Sequence, residues 1–525
     1  MVEIANGKET AIPYRELVKS ETANLRIWDY LSYNREGELL LNGLKIIDLA
    51  KTLGTPLEIV ETTIAEQRAR QWIELTRGIA DKIGYKGGTE YFYATKANPS
   101  SEIVAAALKA GWNLETSSQL DVMNIAWMFE NGLTPEGLKI VCNGLKLHPS
   151  YYNVPDLHPK VPEGVAFDGD VDHAARVYES SYAELIALLK GKGVDIVPII
   201  DSVSELDYFA QPGEIPEMEV GVRLKVYGPA RNDSELTHLK SRHGMDWSTL
   251  IHAADRIDKC PHLTLTTFHS MIGAAETIPV DTLVQSLLFT SEKYFELKRR
   301  YPTMKYFNMG GGVPPLGANW DHEGFVEKLL LGLKPKAQEY GLEQPVMVFE
   351  FGSFIAAESG MHVMKVLHLK KNSVEDDGKV LPWAIVDLPF MRAIPDMLMV
   401  DKHDFLILAA NNANLPAVKA RLGDLSCDSD GVWPPKKAPQ KFVYIPDTQE
   451  DLFLVIVASG AYGETLTGIG GVGHCGLLEP AEAIIEKRQG NKYVRVVPRQ
   501  SIKRARELLG YNSHSLEALR ESLKS

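Results

Sequence analysis

Between residues 91 and 351 the chain alternates two hydrophobic patterns. Short blocks rich in aliphatic, β-branched and aromatic residues recur at 91–97, 112–116, 138–143, 196–201, 220–226, 263–271, 305–309 and 346–351, with the length and composition of buried strands. Amphipathic stretches separate several of them, as at 204–209 and 284–299. Eight strands with helical crossovers predict an α/β architecture, a closed parallel (β/α)8 barrel of the TIM type over residues 63–352. A long helix at 62–83 leads into it. After residue 353 the helical spacers disappear. Strand-like runs at 361–370, 383–387, 404–408, 442–445 and 452–458 are joined by loops and predict a mainly antiparallel β domain over 353–500. Within it, 374–379 reads as a polar turn and 433–439 as a Pro-rich loop, and 501–525 follows as a charged amphipathic helix. Residues 1–62 mix a helix near 14–31, strand pieces near 39–41 and a turn into a strand at 54–60, and are expected to contribute to the β domain.

Composition narrows the partners. Apolar residues make up 45% and charged residues 24%, the balance of an ordinary globular protein with a large core. Lys plus Arg number 56 against 69 Asp plus Glu, a net charge of -13, which argues against nucleic acid or an anionic membrane as the main partner and suits a cationic small substrate. Cys142, Cys260, Cys427 and Cys475 lie far apart without metal-type spacing, so a reducing compartment, no disulfide framework and no metal site are expected. The N-terminus has no basic segment followed by an apolar run, and no stretch is long enough to cross a bilayer; the expectation is a cytoplasmic protein.

The candidate chemistry falls at strand ends. Lys96 closes the first barrel block, where a half-buried amine would have a lowered pKa and act as a nucleophile; a snorkelling Lys is the plainer reading of that segment alone. Glu115 ends the second block, His269 the sixth and Glu350 the eighth. Gly310, Gly311 and Gly312 follow the seventh, at a position where such barrels bind phosphate, although a glycine run is as often a tight turn. All of these fall on one rim, and a Lys, a phosphate cradle and a carboxylate that could face a pyridine nitrogen together describe a pyridoxal phosphate site. In the second domain, the small acidic run at 426–431 is either a solvated turn or an ion loop, and it lacks the spacing of an EF-hand. Tyr462, flanked by glycines, is a phosphate contact or a core residue.

These residues resemble the alanine-racemase-type (fold type III) pyridoxal phosphate enzymes, and among them the basic amino acid decarboxylases. The resemblance runs from about residue 54 to 482 through Gly54-Thr-Pro-Leu, Tyr93-Ala-Thr-Lys-Ala-Asn98, Glu115, Asp201-Ser202, Gly310-Gly-Gly312, Glu350-Phe-Gly352, Cys427-Asp428 and Gly460-Ala-Tyr462. Cys142-Asn-Gly-Leu-Lys146 and Gly460-Ala-Tyr-Gly-Glu464 look most like biosynthetic arginine decarboxylase, while Glu479-Pro-Ala-Glu482 is nearer diaminopimelate decarboxylase. The resemblance implies that Lys96 carries the cofactor covalently, Glu350 pairs with its ring nitrogen, and Gly310 to Gly312 with Tyr462 hold its phosphate. It further implies that Cys427 returns a proton after CO2 leaves, that Asp428, with Asp430, binds the cationic end of the substrate, and that both reach the site of a neighbouring subunit in a homodimer. The expected reaction is decarboxylation of L-arginine to agmatine; diaminopimelate, ornithine or lysine is the alternative substrate, and a non-catalytic regulator like the antizyme inhibitors is the rival from another class. Two positions depart from the family. At Phe268-His-Ser-Met-Ile-Gly-Ala274 either His269 or Met271 takes the place of a ring-stacking His, with Ala274 in the place of a Ser, and Ser353 stands where the family has Arg.

Overall fold

The structure is a computed structural model that describes residues 12–147, 181–213, 215–225, 241–272, 278–371, 381–399, 405–436, 442–512, 516 and 520–524. The chain divides into two compact units, one of residues 69–314 and 320–352, the other of residues 1–68, 315–319 and 353–525.

The first unit is the barrel. Its strands are β1 (Thr89–Ala94), β2 (Asn113–Thr116), β3 (Lys139–Cys142), β4 (Asp195–Ile200), β5 (Met218–Arg223), β6 (Leu263–His269), β7 (Tyr306–Asn308) and β8 (Val346–Phe351). Each pairs in parallel with the next, and β8 closes on β1 with Glu350 opposite Phe92. All eight expected strands are present, and each apolar block is explained by its two buried faces. One set of side chains, Phe92, Val141, Val197, Ile199, Tyr306 and Val348, fills the barrel interior. The other set meets the helices: Trp72, from the helix Thr62–Ile83, packs edge-on against Phe349 and Phe351. The helix expected at 284–299 spans Val280–Arg300, whereas 204–209 forms only a single 3-10 turn followed by one α-helical turn.

The second unit is built on the strand Gly360–Lys370. It pairs antiparallel with Leu57–Glu61, Phe453–Val457 and Trp383–Val386. Most other pairings are antiparallel too, but Trp383–Val386 runs parallel to Ala417–Gly423, and Ala481–Arg488 parallel to Leu57–Glu61. Buried Leu57, Ile59, Met361, Val363 and Val455 carry its core. The expected helix at 14–31 is Tyr14–Glu21 and then a 3-10 turn, Arg26–Asp29; the tail helix covers Ile502–Leu508. The polar turn at 374–379, the end of the loop at 433–439, Gly273 and Ala274 lie outside the described residues. Among those described, no helix is long and apolar enough to cross a membrane.

Candidate active site

Lys96 does not extend β1. That strand ends at Ala94, and Thr95–Ala97 form one 3-10 turn that carries the side chain at the barrel rim. The side chain is 40% exposed, and an ion pair holds its amine. Its Nζ donates to Glu115 Oε2 at 2.7 Å and to Ser117 Oγ at 3.3 Å. The turn lies close against the end of β8, where a Cβ on Gly352 would come within 2.6 Å of Ala97 Cβ; only glycine allows that approach.

Glu115 is fully buried, yet every charge-bearing oxygen is met. Oε1 accepts from Ser117 Oγ at 2.8 Å and from Asn143 Nδ2 at 2.9 Å. The same Asn143 Nδ2 donates to Glu350 Oε2 at 2.9 Å, so one amide ties the two acids of the rim together. Asn308 Nδ2 donates to Glu350 Oε1 at 2.5 Å, and His269 Nε2 lies 3.3 Å from Oε2. Burial by itself would raise the Glu350 carboxyl, but His269, Asn308 and the more distant charge of Lys96 outweigh it and hold it below the usual carboxylate range. Glu350 is therefore an anion at neutral pH, sealed from solvent.

The glycine run follows β7. Gly310 has φ 69° and Gly312 φ 98°, left-handed conformations that side chains disfavour. A Cβ on Gly311 would lie 2.4 Å from the Glu350 carbonyl oxygen. The Gly310 amide donates to Asn308 Oδ1 at 2.9 Å, which pins the start of the glycine run to the end of β7. Met271 packs against Gly310 while His269 faces Glu350, so the two residues that compete in the sequence occupy different parts of one rim. Nδ1 of His269 and Oδ1 of Asn143 are buried without a hydrogen-bond partner. Orphaned polar atoms around a buried carboxylate, a reachable amine and a backbone cradle fit a planar, polar, anionic cofactor held in this barrel.

The remaining expected site residues are in the second unit. Cys427 is exposed, 3.3 Å from the thiol of Cys475, which pushes the Cys427 thiol above its ordinary pKa. Asp428 Oδ1 accepts from the Asp430 amide at 2.8 Å and its Oδ2 is 3.5 Å from His474 Nε2, while Asp430 pairs with Lys436 at 2.9 Å. Asp430 is thus engaged as a turn residue. Tyr462 follows the strand Phe453–Val457 with φ 52°, and Ser353 opens the short helix Ser353–Ala356. Sequence reasoning passed over Asn143, Asn308 and Cys475. An Asn directly after a barrel strand or ending one was the available signal for the first two; for Cys475, 48 residues from its partner, there was none.

No family model matches the chain. In sequence it is similar to biosynthetic arginine decarboxylase of Rhodopirellula baltica, 21% identical over 361 residues that cover 64% of this chain and 47% of the relative. It is also similar to diaminopimelate decarboxylase of Methanothermobacter thermautotrophicus, 19% identical over 443 residues, 83% of this chain and 89% of that one. The chain spans about half the length of the first arginine decarboxylases it matches. Among solved structures, biosynthetic arginine decarboxylase from Campylobacter jejuni superposes with a TM-score of 0.73 at 17% identity, covering 95% of this chain and 94% of the other. Diaminopimelate decarboxylase from M. jannaschii in complex with L-lysine gives 0.68 at 16% identity, covering 92% and 98%. In sequence the chain is thus similar to arginine and diaminopimelate decarboxylases, and it shares the fold of solved structures of both.

Proposed function

We propose that this protein is a pyridoxal 5'-phosphate-dependent decarboxylase of a basic amino acid, with L-arginine as the substrate and agmatine and CO2 as products. The observation that carries it is the convergence of Lys96, Glu115, His269, Glu350 and Gly310–Gly312 on one barrel rim. Lys96 would hold the aldehyde carbon of the cofactor, the amides of Gly311 and Gly312, with Tyr462, its phosphate, and the anionic Glu350 its ring nitrogen. Bound there, the cofactor supplies an electron sink for the charge left at Cα when the carboxylate departs. Glu350 keeps a fixed negative charge beside the ring nitrogen and so favours its protonated form. Glu115 steadies the released Lys96 amine. Cys427 returns a proton to Cα, and Asp428 takes the cationic end of the substrate. In the family, this pair serves a neighbouring subunit, so the working form is a homodimer; the acidic chain suits a cytoplasmic enzyme of polyamine synthesis.

Diaminopimelate is the second reading, favoured by the relative that matches 83% of this chain and 89% of its own length. The test is release of labelled CO2 from carboxyl-labelled arginine, diaminopimelate, ornithine and lysine by purified protein that shows a visible absorption band abolished by borohydride. Arginine should turn over fastest, and Lys96→Ala should lose the band. A band that survives Lys96→Ala, or no CO2 from any of the four, overturns the proposal.

A further inference from the structure

We propose that Cys427, Cys475 and His474 form a binding site for a thiophilic divalent metal ion of the zinc class. One ligand atom from each of the three lies within 4.8 Å of the others. The thiols are 3.3 Å apart, and Zn–S bonds of about 2.3 Å at tetrahedral angles place two sulfurs roughly 3.8 Å apart, within reach of a small adjustment. Asp428 Oδ2 lies 3.5 Å from His474 Nε2, near enough for the carboxylate to orient the imidazole. The Cys427 amide also donates to Cys475 Sγ at 3.4 Å, so backbone and thiol contacts both hold the two cysteines together.

The loop that brings His474 and Cys475 to Cys427 is held in place. Arg392, buried, donates to the Gly471 carbonyl at 3.2 Å and pairs with Glu464 and Glu479; Gln500 Nε2 donates to the Gly470 and Gly471 carbonyls at 3.2 and 3.0 Å. Cys475 is kept at φ 58°, ψ 19°, a left-handed conformation that a non-glycine residue adopts only where its surroundings hold it. On the other side, Asp424 Oδ1 accepts from the Ser426 amide at 2.8 Å and fixes the approach of Cys427. Binding releases the two thiol protons and forms two metal–sulfur bonds and one metal–nitrogen bond; no electron moves. Three protein ligands leave one position open. Because Cys427 is the proton donor of the proposed decarboxylase, the ion would also withhold that thiol; this consequence rests on that reading, whereas the site does not.

The test uses the reduced, metal-stripped full chain and cobalt(II) alone as a spectroscopic probe. One equivalent should bind per chain and give a thiolate charge-transfer band with the visible d–d bands of a tetrahedral centre; zinc should bleach them. Cys475→Ser and His474→Ala should each lower the affinity at least tenfold, and Cys475→Ser should retain decarboxylation in metal-free buffer while losing inhibition by zinc. Loss of the cobalt bands in Cys475→Ser with no change in zinc inhibition would keep the site and remove its tie to Cys427 as proton donor. Absence of cobalt bands in the wild type, undiminished bands in Cys475→Ser, or a disulfide in place of two titratable thiols would overturn the proposal.

Discussion

Glu115 Oε2 accepts from Lys96 Nζ at 2.7 Å, a fully buried acid set against an amine that is 40% exposed. The asymmetry decides what each partner loses on mutation. In Glu115→Gln the amine can turn to water, so the fold should lose only about 1–2 kcal/mol. The amine would lose its fixed partner, and turnover should fall about 100-fold, within the range for a positioned acid–base group. Denaturant unfolding alongside single-turnover CO2 release checks both. A large stability loss with unchanged turnover would make the pair structural.

Asn143 matters because it is neutral. Its Nδ2 serves Glu115 at 2.9 Å and Glu350 at 2.9 Å, and hydrogen bonds to charged groups contribute about 1.5–3 kcal/mol each. Asn143→Asp removes both donations and adds a third buried carboxyl, which must take up a proton on folding. The variant should be destabilised by about 3 kcal/mol or more near pH 8, and by less near pH 5, because a group that binds a proton on folding stabilises as pH falls. Urea unfolding at the two pH values measures it; an equal loss at both would exclude the charge mechanism.

Gly311 tests the cradle. A Cβ there would meet the Glu350 carbonyl oxygen at 2.4 Å, and backbone cannot swing aside as a side chain would. Gly311→Ala should cost about 1–3 kcal/mol and shift the end of β8 that carries Glu350, so cofactor affinity should drop more than tenfold. Gly341→Ala is the control: it caps a helix at φ 65° with no atom in the path of a new Cβ, so it should cost about 1 kcal/mol and leave cofactor affinity alone. Equal affinities in the two variants would count against the cradle.

The barrel was legible because each strand is buried on two faces and so reads as a continuous apolar block; β8, Val346–Phe351, was placed to the residue. The residues at the strand ends were legible for the same reason, since a Glu or His closing such a block is conspicuous. What the residues do to one another was not. Lys96 was expected on the strand itself because its segment has strand composition, but a single 3-10 turn after Ala94 carries it. Asn143 and Asn308 look like turn formers in a sequence, and only the closed barrel turns them toward Glu350. Two parts of the second unit escaped. Ala417–Gly423 carries Lys419 and Arg421, and the hairpin Ala481–Arg488 with Asn491–Val497 is polar on its exposed strand, so neither has the apolar block that marked the barrel. The meeting of Cys427 with Cys475 depends on a loop held by Arg392, a long-range contact that no local pattern encodes.

His362 supplies a prediction for the second unit that is independent of any chemistry. It lies in the strand Gly360–Lys370, buried, with Nδ1 2.8 Å from Ser459 Oγ and Nε2 without a hydrogen bond, 4.0 Å from Glu58 Oε2. Burial pushes its pKa down from 6.5 to about 4. Between those values the unfolded chain binds a proton that the folded chain refuses, so stability rises with pH: the contribution is complete above about pH 6.5 and is lost as pH falls toward 4. The drop corresponds to about 3 kcal/mol at 1.36 kcal/mol per unit. Glu58, which burial and the nearby Glu464 and Glu482 push upward, acts in the opposite sense, so the difference from a variant is the proper measure. In His362→Gln the acid-side loss should shrink by that amount relative to wild type, read from urea unfolding across the interval, with Glu58 present in both. Parallel stability curves would mean that His362 takes up its proton in the folded state.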